Sequence, residues 1–437
     1  MDLVQLAHVF GCLMKKDQWY ACPLAHDPYI ISKNELEKVK TIQPFIQQVK
    51  SELINDPYFI NQLKDLNDDF IMNLLNCRKE KKIEFGIIRS DYISDGTLKN
   101  VETNCIASSF GYLSDKVTKI HQIMNKNVVP NCCMLAEALN AACELYDGDC
   151  TPTDYNFKGL VSTTMTSKLN CILMIIQPNE SNICDQIGLL DGLDVPMFRI
   201  TFDQVWELTI NKQTLYYQNY KVAVVYYRAG YTPNDYPSEK QVEARKILEH
   251  SNAINCPSIS LQLMGLKKIQ QLTSNRSVLL KYLTEQQVDL LMLTFMGLYS
   301  MDQETEEGKK HLEMLTLNPD NYVLKPQREG GSNNYYGQQI LDHLKTIGPQ
   351  DYKKYILMEK ITSISQPNTL TRYMNGHYAK VKGSCISEIG IYGYFITKNK
   401  TLIVNKTGGH LVRTKLIGTN EGGVASGYSY LNALKYE

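Results

Sequence analysis

The sequence lacks an excess of either charge, because its 46 lysines and arginines balance its 46 aspartates and glutamates. Long runs of one sign are also missing, which argues against nucleic acid or an anionic membrane as the main partner. The apolar run around Leu290 to Leu298 is too short to span a bilayer. Met1 to Lys16 lacks the basic start and the small-residue cleavage site of a secretory signal. We therefore expect a cytoplasmic protein with no membrane or nucleic-acid partner.

Cysteine motifs for metal or redox chemistry are missing as well. None of the twelve cysteines forms a C-x-x-C pair, and none has partner histidines at zinc spacing. We expect reduced, mostly buried thiols, and the adjacent Cys132 and Cys133 are interpreted as packing residues.

The size and the composition of the chain are those of a globular enzyme with several subdomains. Its 437 residues exceed the length at which one core usually keeps growing, so we expect two or three subdomains. From about residue 168 to residue 268, strand and helix patterns alternate, with buried strands predicted at 171–176 and 221–227. This alternation predicts a parallel sheet with helices on its faces.

Open parallel sheets bind ligands beyond the carboxyl ends of their strands. Residues 180–182 with Gln186 lie at one such end, and residues 228–231 lie at another. An arginine in that position, Arg228, is either a bidentate clamp on a carboxylate or an ordinary surface arginine.

The segment KPQREGGSNNYYG, residues 325–337, concentrates potential phosphate chemistry. Gly330 and Gly331 can adopt the positive φ angles of a tight reversal, which turns backbone N–H groups toward a bound anion. Lys325 adds a positive charge, whereas Glu329 would meet a phosphate only through a divalent cation. The segment is a nucleotide-phosphate loop or, alternatively, a hairpin turn with chance charges. Residues 278–299, which precede it, have a helical pattern.

A second candidate for metal binding lies in the strand-like segment 98–106. A period of two places Glu102 and Asn104 on one face, and a carboxylate beside a carboxamide suits Mg²⁺. The alternative is a polar face in solvent. The small residues at 107–111 form a turn where backbone N–H groups and a hydroxyl can meet a substrate.

Two later segments fit an adenine ring and a small substrate. Residues 355–361 (YILMEKI) are predicted to form a strand in which Met358 and Ile361 flank a flat ring. The glycine-rich residues 420–427 either close over a small substrate or form a flexible surface turn.

Together these segments resemble the eukaryotic glutathione synthetase family. The resemblance rests on residues 325–336, 89–92, 102 with 104, 355–361, and 413–415 with 422–425. The matches follow the family order from about residue 83 to residue 430, and the KPQREGG run that begins at Lys325 is highly specific.

The resemblance implies an α/β ATP-grasp fold with mixed and antiparallel sheets, a lid, and an inserted parallel-sheet α/β substrate domain. Residues 1–167 would hold the N-terminal helical region and the first part of the ATP-grasp core. Residues 168–268 would form the substrate-binding domain, and residues 269–437 the remaining core with the phosphate loop (325–337) and the lid loop (420–427).

The implied reaction is the ATP-dependent ligation of glycine to the cysteinyl carboxylate of γ-glutamylcysteine. It would pass through an acyl phosphate and release ADP and phosphate, in a homodimer that uses two Mg²⁺ ions per active site. The alternatives are a ligase of the same fold with another acceptor, such as β-alanine or serine, and a non-catalytic relative.

The resemblance also implies roles for individual residues. Mg²⁺ would be held by Glu102, Asn104 and Glu329. The nucleotide contacts would be Glu102, Lys267, Lys325, Gln327, Glu329, Gly330, Gly331, Asn333, Asn334, Tyr336, Met358, Glu359, Lys360, Ile361, Glu388, Lys415 and Glu421. The substrate contacts would be Arg89, Ile106, Ala107, Ser108, Ser109, Glu180, Ser181, Asn182, Gln186, Arg228, Tyr231, Arg413, Val424 and Ala425. Arg89, Lys325 and Arg413 are the expected catalytic residues.

Three positions depart from the family pattern. Ala107 stands where a serine is expected, which removes one hydroxyl contact to the dipeptide. Ser332 replaces a glycine in the phosphate loop and disfavours positive φ. Ser426 replaces an alanine in the lid loop, which is expected to influence the acceptor.

Overall fold

A computed structural model describes residues 2–148, 153–328, 333–420 and 422–437. Its helices are α1 (Leu3–Val9), α2 (Lys33–Leu53), α3 (Pro57–Lys64), α4 (Asp69–Cys77), α5 (Gly111–Ile123), α6 (Leu135–Leu145), α7 (Ile183–Ile187), α8 (Glu239–His250), α9 (Ile259–Leu263), α10 (Lys267–Thr273), α11 (Arg276–Leu279), α12 (Glu285–Met292), α13 (Glu306–Leu317) and α14 (Gln338–Thr346). Its strands are β1 (Leu13–Lys15), β2 (Trp19–Ala21), β3 (Leu24–Ala25), β4 (Tyr29–Ile31), β5 (Ile83–Ser94), β6 (Leu98–Asn104), β7 (Val161–Ser162), β8 (Asn170–Ile175), β9 (Met197–Ile200), β10 (Thr209–Asn211), β11 (Thr214–Tyr217), β12 (Tyr220–Tyr227), β13 (Ile254–Cys256), β14 (Leu298–Ser300), β15 (Tyr322–Pro326), β16 (Tyr335–Tyr336), β17 (Tyr355–Glu359), β18 (Gln366–Met374), β19 (His377–Lys398), β20 (Thr401–Leu416), β21 (Tyr430–Asn432) and β22 (Leu434–Tyr436).

A central sheet has its strands in the order β18, β3, β21, β20, β19, β5, β6. Its β5 strand is buried on both faces, because side chains alternate between two hydrophobic clusters. Phe85 and Ile87 pack with α5 and α6 on one face, and Ile88 packs with α2 on the other. Strands from the beginning and the end of the chain share this sheet, so the segment between β6 and β18 is inserted into it. The boundaries at residues 167/168 and 268/269 stay predictions.

The inserted segment contains a second sheet in the order β7, β10, β11, β12, β8, β9, with β13 beside β12. The predicted buried strands are β8 and β12, and both pair in parallel with their neighbours β9 and β13 and with each other. The sheet is nevertheless mixed, because β10, β11 and β12 are antiparallel. The two-residue loops that join them begin at Lys212 and Gln218, whose φ angles are 56° and 53°. Connections this short allow only antiparallel neighbours.

A third sheet is antiparallel, in the order β14, β17, β15, β16, and α13 and α14 pack against it. The predicted continuous helix over 278–299 is wrong. The structure has α11, a break, α12 and then β14 in this region. The helix restarts because the Thr284 side chain accepts a hydrogen bond from the backbone N–H of Gln287 and caps α12.

Across the described ranges, no helix combines the length and the apolar character that a membrane crossing requires.

Candidate active site

The central sheet gathers charged side chains on one face. On β5 and β6, Arg89 lies opposite Asn104 and Asp91 lies opposite Glu102. Glu388 on β19 lies opposite Arg413 on β20. Because strand side chains alternate between faces, these residues point to the same side of the sheet. The sequence pattern predicted this placement for Glu102 and Asn104 only within their own strand.

Asp91 lies at the centre of this charged face and is completely buried, with 0% exposure. Its Oδ1 accepts a hydrogen bond from Arg89 Nε at 2.6 Å, and its Oδ2 accepts one from Arg89 Nη2 at 2.8 Å. Arg413 Nη2 donates to the same Oδ2 at 3.0 Å. Burial alone would lower the pKa of Arg89, but Asp91 raises this pKa well above its ordinary value. Both arginines therefore stay charged and fixed in direction.

Glu102 connects the central sheet to two buried lysines. Lys267, the first residue of α10, donates to Glu102 Oε2 at 2.8 Å, and Lys325 on β15 donates to the Val101 carbonyl at 3.0 Å. Each lysine is only 4% exposed. Although burial raises the pKa of the Glu102 carboxyl, Lys267 and Lys325 hold it well below its ordinary value. Burial lowers the pKa of Lys325 to about 8. Two cations and an anion thus meet at the junction of the central sheet and the third sheet.

Glu388 completes the acidic part of the face. It accepts a hydrogen bond from Arg413, and burial raises the pKa of its carboxyl. Carboxylate oxygens of Asp91, Glu102 and Glu388 lie within 4.8 Å of one another. The structure therefore places Glu388 beside the predicted ligand Glu102, while Arg413 neutralises part of this charge.

The turn after β6 links these groups to the second sheet. Arg228 Nη2 donates to Ser109 Oγ at 2.8 Å, and Arg89 Nη1 donates to the Ser109 carbonyl at 3.3 Å. The turn is tightly bent, since Ala107 and Phe110 have φ angles of 52° and 72°. Arg228 is buried, which excludes the interpretation of an ordinary surface arginine. In the same turn, Ile106 and Ser108 are also buried.

The predicted positions before and on α7 form one hydrogen-bonded group. Gln186 Nε2 donates to Glu180 Oε2 at 2.6 Å, and the backbone N–H of Asn182 donates to Glu180 Oε1 at 2.7 Å. The Ser181 carbonyl accepts a hydrogen bond from the Lys15 N–H on β1 at 2.9 Å. Both oxygens of the Glu180 carboxylate are therefore held in place by neighbouring residues.

Comparison with known proteins agrees with this geometry. The family model for the ATP-binding domain of eukaryotic glutathione synthase matches residues 13–435. The chain belongs to this family. It is 33% identical to a glutathione synthetase of Xenopus laevis, covering 94% of this chain and 89% of that one. It is 34% identical to the human glutathione synthetase over the same shares, and 32% identical to a chloroplastic one of Arabidopsis thaliana, over 92% of this chain and 74% of that one.

The fold also resembles a solved structure. A glutathione synthetase like-effector from Globodera pallida in its apo form superposes with a TM-score of 0.75. The match covers 99% of this chain and 95% of the other, at 17% sequence identity. At that identity the likeness supports the fold alone, an α/β arrangement of several mixed and antiparallel sheets of the ATP-grasp type.

Several of the predicted nucleotide positions lie around the third sheet. Met358 on β17 is buried and lies opposite Val323. The Glu359 carboxylate accepts hydrogen bonds from the Tyr299 hydroxyl at 2.6 Å and from the Gly297 N–H at 3.1 Å. A nucleotide contact at Glu359 is therefore expected through its backbone. Lys360 and Ile361 follow directly, and the Lys360 N–H is bonded to the Asn321 carbonyl at 2.8 Å.

The lid loop is connected to both neighbouring sheets. Lys415 Nζ and the Tyr336 hydroxyl donate to the Asn420 carbonyl, at 3.1 Å and 3.2 Å. Val424 is 2% exposed and belongs to the hydrophobic cluster of the central sheet, whereas Ala425 is exposed. Of the pair expected to cover the site, Val424 thus also anchors the loop in the core.

The remaining predicted nucleotide positions fall into two groups. Gln327 is buried and accepts a hydrogen bond from the Lys268 N–H at 2.9 Å, and Asn333 and Asn334 precede β16. The predicted positions that lie outside the described residues are Glu329, Gly330, Gly331, Ser332 and Glu421.

Sequence reasoning missed three residues of this site. Asp91 belongs to the matching segment 89–92. Its spacing of two residues from Arg89, which places both side chains on one face of a strand, was the available signal. Asp185 lies three residues after Asn182, and its carboxylate forms a salt bridge with Arg228 Nη2 at 3.1 Å. Tyr392 donates a hydrogen bond to the Ser109 carbonyl from β19. The last two contacts join residues far apart in the chain, so no local pattern could indicate them.

Replacing Asp185 by asparagine is expected to lower the free energy of unfolding by about 3 kcal/mol, because a buried arginine would lose its partner. Urea denaturation measures this change. The matched control is Asp191→Asn. Asp191 is exposed, and its ion pair with Lys116 Nζ, at 3.7 Å, lies at the surface. The control should change stability by less than about 1 kcal/mol. A loss below that size in Asp185→Asn would mean that Arg228 finds another partner.

Proposed function

We propose that this protein is a glutathione synthetase, which joins glycine to the cysteinyl carboxylate of γ-glutamylcysteine at the expense of ATP. The observation that carries the proposal is the pair Lys267 and Lys325, which flanks Glu102 beside the arginine-bearing face of the central sheet. The cations that we expect to bind phosphate and those that we expect to bind carboxylate are thus neighbours. A ligase that transfers a phosphoryl group to a carboxylate needs this arrangement.

The lysines and the arginines of the site would bind different anionic groups. Lys267 and Lys325 withdraw charge from the phosphates of ATP, and buried surroundings strengthen that effect. Arg89, Arg228 and Arg413 suit a dipeptide with several carboxylates, because guanidinium groups bind carboxylates in a fixed geometry. The cysteinyl carboxylate oxygen attacks the γ-phosphorus, and ADP leaves. The glycine amine then attacks the acyl carbon, the new C–N bond forms, and phosphate leaves with the C–O bond electrons.

Magnesium fits the donor set of this face. Glu102 supplies a carboxylate and Asn104 an amide oxygen, both hard donors of the kind that Mg²⁺ prefers. The Asn104 amide nitrogen donates to Asp91 at 2.9 Å, which turns its oxygen away from Asp91. We propose that these two residues, with Glu329, hold the ion. When bound, Mg²⁺ would neutralise charge on the transferred phosphoryl group.

The serine at position 426 of the predicted lid loop gives no reason to replace glycine by another acceptor. The Ser426 hydroxyl donates to the Gly423 carbonyl at 3.2 Å, so it bonds within the loop itself. The departure from alanine therefore adds no polar contact directed at an acceptor. The homodimer stays a prediction from the family resemblance, and the cytoplasmic location stays a prediction from the sequence composition.

The test measures ADP release by the purified chain with Mg-ATP and different substrate pairs. Release is expected only with γ-glutamylcysteine and an amino acid together, and mass spectrometry should identify glutathione as the product. Parallel reactions with β-alanine and serine compare acceptors. ADP release without the dipeptide, or none with the complete mixture, would contradict the proposal.

The pH dependence follows from Lys325, whose pKa burial lowers to about 8. The lysine is cationic below that pH and neutral above it. We therefore expect kcat/KM for Mg-ATP to fall as the pH rises through about 8, by up to tenfold per pH unit. The profile of Lys325→Arg should lose this alkaline limb, because arginine stays charged. The same limb in both proteins would assign it to another group.

A further inference from the structure

We propose that Asp91 is a positioning residue that serves both halves of the active site. It would aim the guanidinium groups of Arg89 and Arg413 at the dipeptide, and it would decide which end of the Asn104 amide faces the metal. This inference rests on the proposed ligase function. No part of it requires Asp91 to touch a substrate.

The backbone around Asp91 leaves room for its carboxylate. On the neighbouring strand β19, the residue opposite Asp91 is Gly390. A Cβ atom at this glycine would lie 2.6 Å from Asp91 Oδ1 and 2.7 Å from Arg89 Cδ. Glycine weakens a central strand, because it has no side chain to pack. Its presence here therefore has a local reason, which is the space that the Asp91–Arg89 pair occupies.

The two carboxylate oxygens of Asp91 accept different numbers of hydrogen bonds. Oδ1 accepts from Arg89 Nε alone among the described contacts, at 2.6 Å. Oδ2 accepts from Arg89 Nη2 at 2.8 Å, from Asn104 Nδ2 at 2.9 Å and from Arg413 Nη2 at 3.0 Å. One oxygen thus joins both arginines to the amide of a predicted metal ligand. Moving Asp91 would disturb the dipeptide clamp and the metal ligand together.

Asp91 also selects the orientation of the Asn104 amide. An ionised carboxylate only accepts hydrogen bonds, so it attracts the amide nitrogen and repels the amide oxygen. The nitrogen has a second acceptor on the same side, the Arg89 carbonyl at 3.4 Å. The Asn104 oxygen is therefore directed away from both acceptors. Outer residues that orient a metal ligand in this way commonly change metal affinity by about 10- to 100-fold when replaced.

The variant Asp91→Asn tests this role, because it keeps the shape but can present an N–H₂ group to Asn104. An N–H₂ group facing Asn104 would favour the flipped amide, and either orientation of the new side chain would leave both arginines without their anion. Mn²⁺ replaces Mg²⁺ as the probe, and its binding to the full-length chain with a non-hydrolysable ATP analogue is followed by electron paramagnetic resonance. We expect Mn²⁺ affinity to fall at least about tenfold. Calorimetry should show a similar loss of γ-glutamylcysteine affinity.

A double variant separates orientation from mere structural damage. In Asp91→Asn with Asn104→Asp, donor and acceptor are exchanged, so a carboxylate oxygen of residue 104 again faces the metal. We expect Mn²⁺ affinity to return to within about threefold of the original chain. Dipeptide affinity should stay low, since the arginines still lack a carboxylate at position 91. A double variant that binds Mn²⁺ no better than Asp91→Asn would overturn the orientation role.

Two further measurements keep the test decisive. Ser90→Ala changes the adjacent residue on the opposite face of β5 and should alter neither affinity. If Asp91→Asn does not fold, Gly390→Ala takes its place, because it displaces the carboxylate and keeps its charge; unchanged affinities there would refute the proposal. Failure of the proposed function is recognised separately, as absence of dipeptide-dependent ADP release by the original chain.

Discussion

Replacing Glu102 by glutamine is expected to lower kcat about a thousandfold, which corresponds to about 4 kcal/mol of transition-state stabilisation. Glutamine keeps the shape but removes the anion that Lys267 contacts at 2.8 Å. The two buried lysines would then repel each other without a counter-charge, and a magnesium ligand would be lost. Steady-state ADP release with saturating dipeptide and glycine measures the effect, and thermal unfolding verifies that the variant is folded.

Glu84→Gln is the matched control for this variant. Glu84 lies on the same strand as Arg89, is 4% exposed and accepts a hydrogen bond from the Ser258 hydroxyl at 2.5 Å. Burial raises the pKa of its carboxyl to about 8, so the group is mostly protonated at neutral pH. Removing a charge that is not present should change kcat less than about threefold. If Glu102→Gln keeps more than a tenth of the original kcat, Glu102 is not at the metal and phosphate centre.

Lys325→Met is expected to have an effect of similar size, with kcat reduced about a thousandfold and KM for ATP increased. The ammonium group donates to the Val101 carbonyl next to Glu102, on a strand that leads directly into the predicted phosphate loop, and methionine retains only its apolar stem. A cation that neutralises a transferred phosphoryl group in a buried site contributes several kcal/mol. Initial rates at varied Mg-ATP separate the loss in kcat from the change in KM.

Lys268→Met provides the comparison, because this lysine is adjacent to Lys267 and is half-buried. Its pKa is lowered by burial, and the carboxylates that act on it are Asp302, Asp65 and Glu307, not Glu102. We expect a change in kcat below about fivefold. Equal losses in Lys325→Met and Lys268→Met would show that general packing, and not charge at the phosphates, explains the first result.

The sequence was most informative where a short segment contains a complete signal. The runs at 171–176 and 221–227 became β8 and β12, and residues 355–361 contain β17. Apolar β-rich segments of this length have few alternatives once they are buried. The prediction over 278–299 failed because Thr284 caps a new helix within this segment. Helical periodicity alone does not reveal such a break. The mixed order of the second sheet likewise depended on loop lengths, not on strand pattern.

By itself, the sequence determined the family, and it predicted a phosphate loop and most of the residues expected at the site, because these rest on local motifs whose chemistry is carried by adjacent side chains. The tertiary structure alone decided that Asp91 lies between Arg89, Arg413 and Asn104, that Asp185 pairs with Arg228, and that Val424 belongs to the core. These contacts join strands and helices that are distant in the chain. Their geometry depends on sheet register and packing, and no local pattern of residues specifies either.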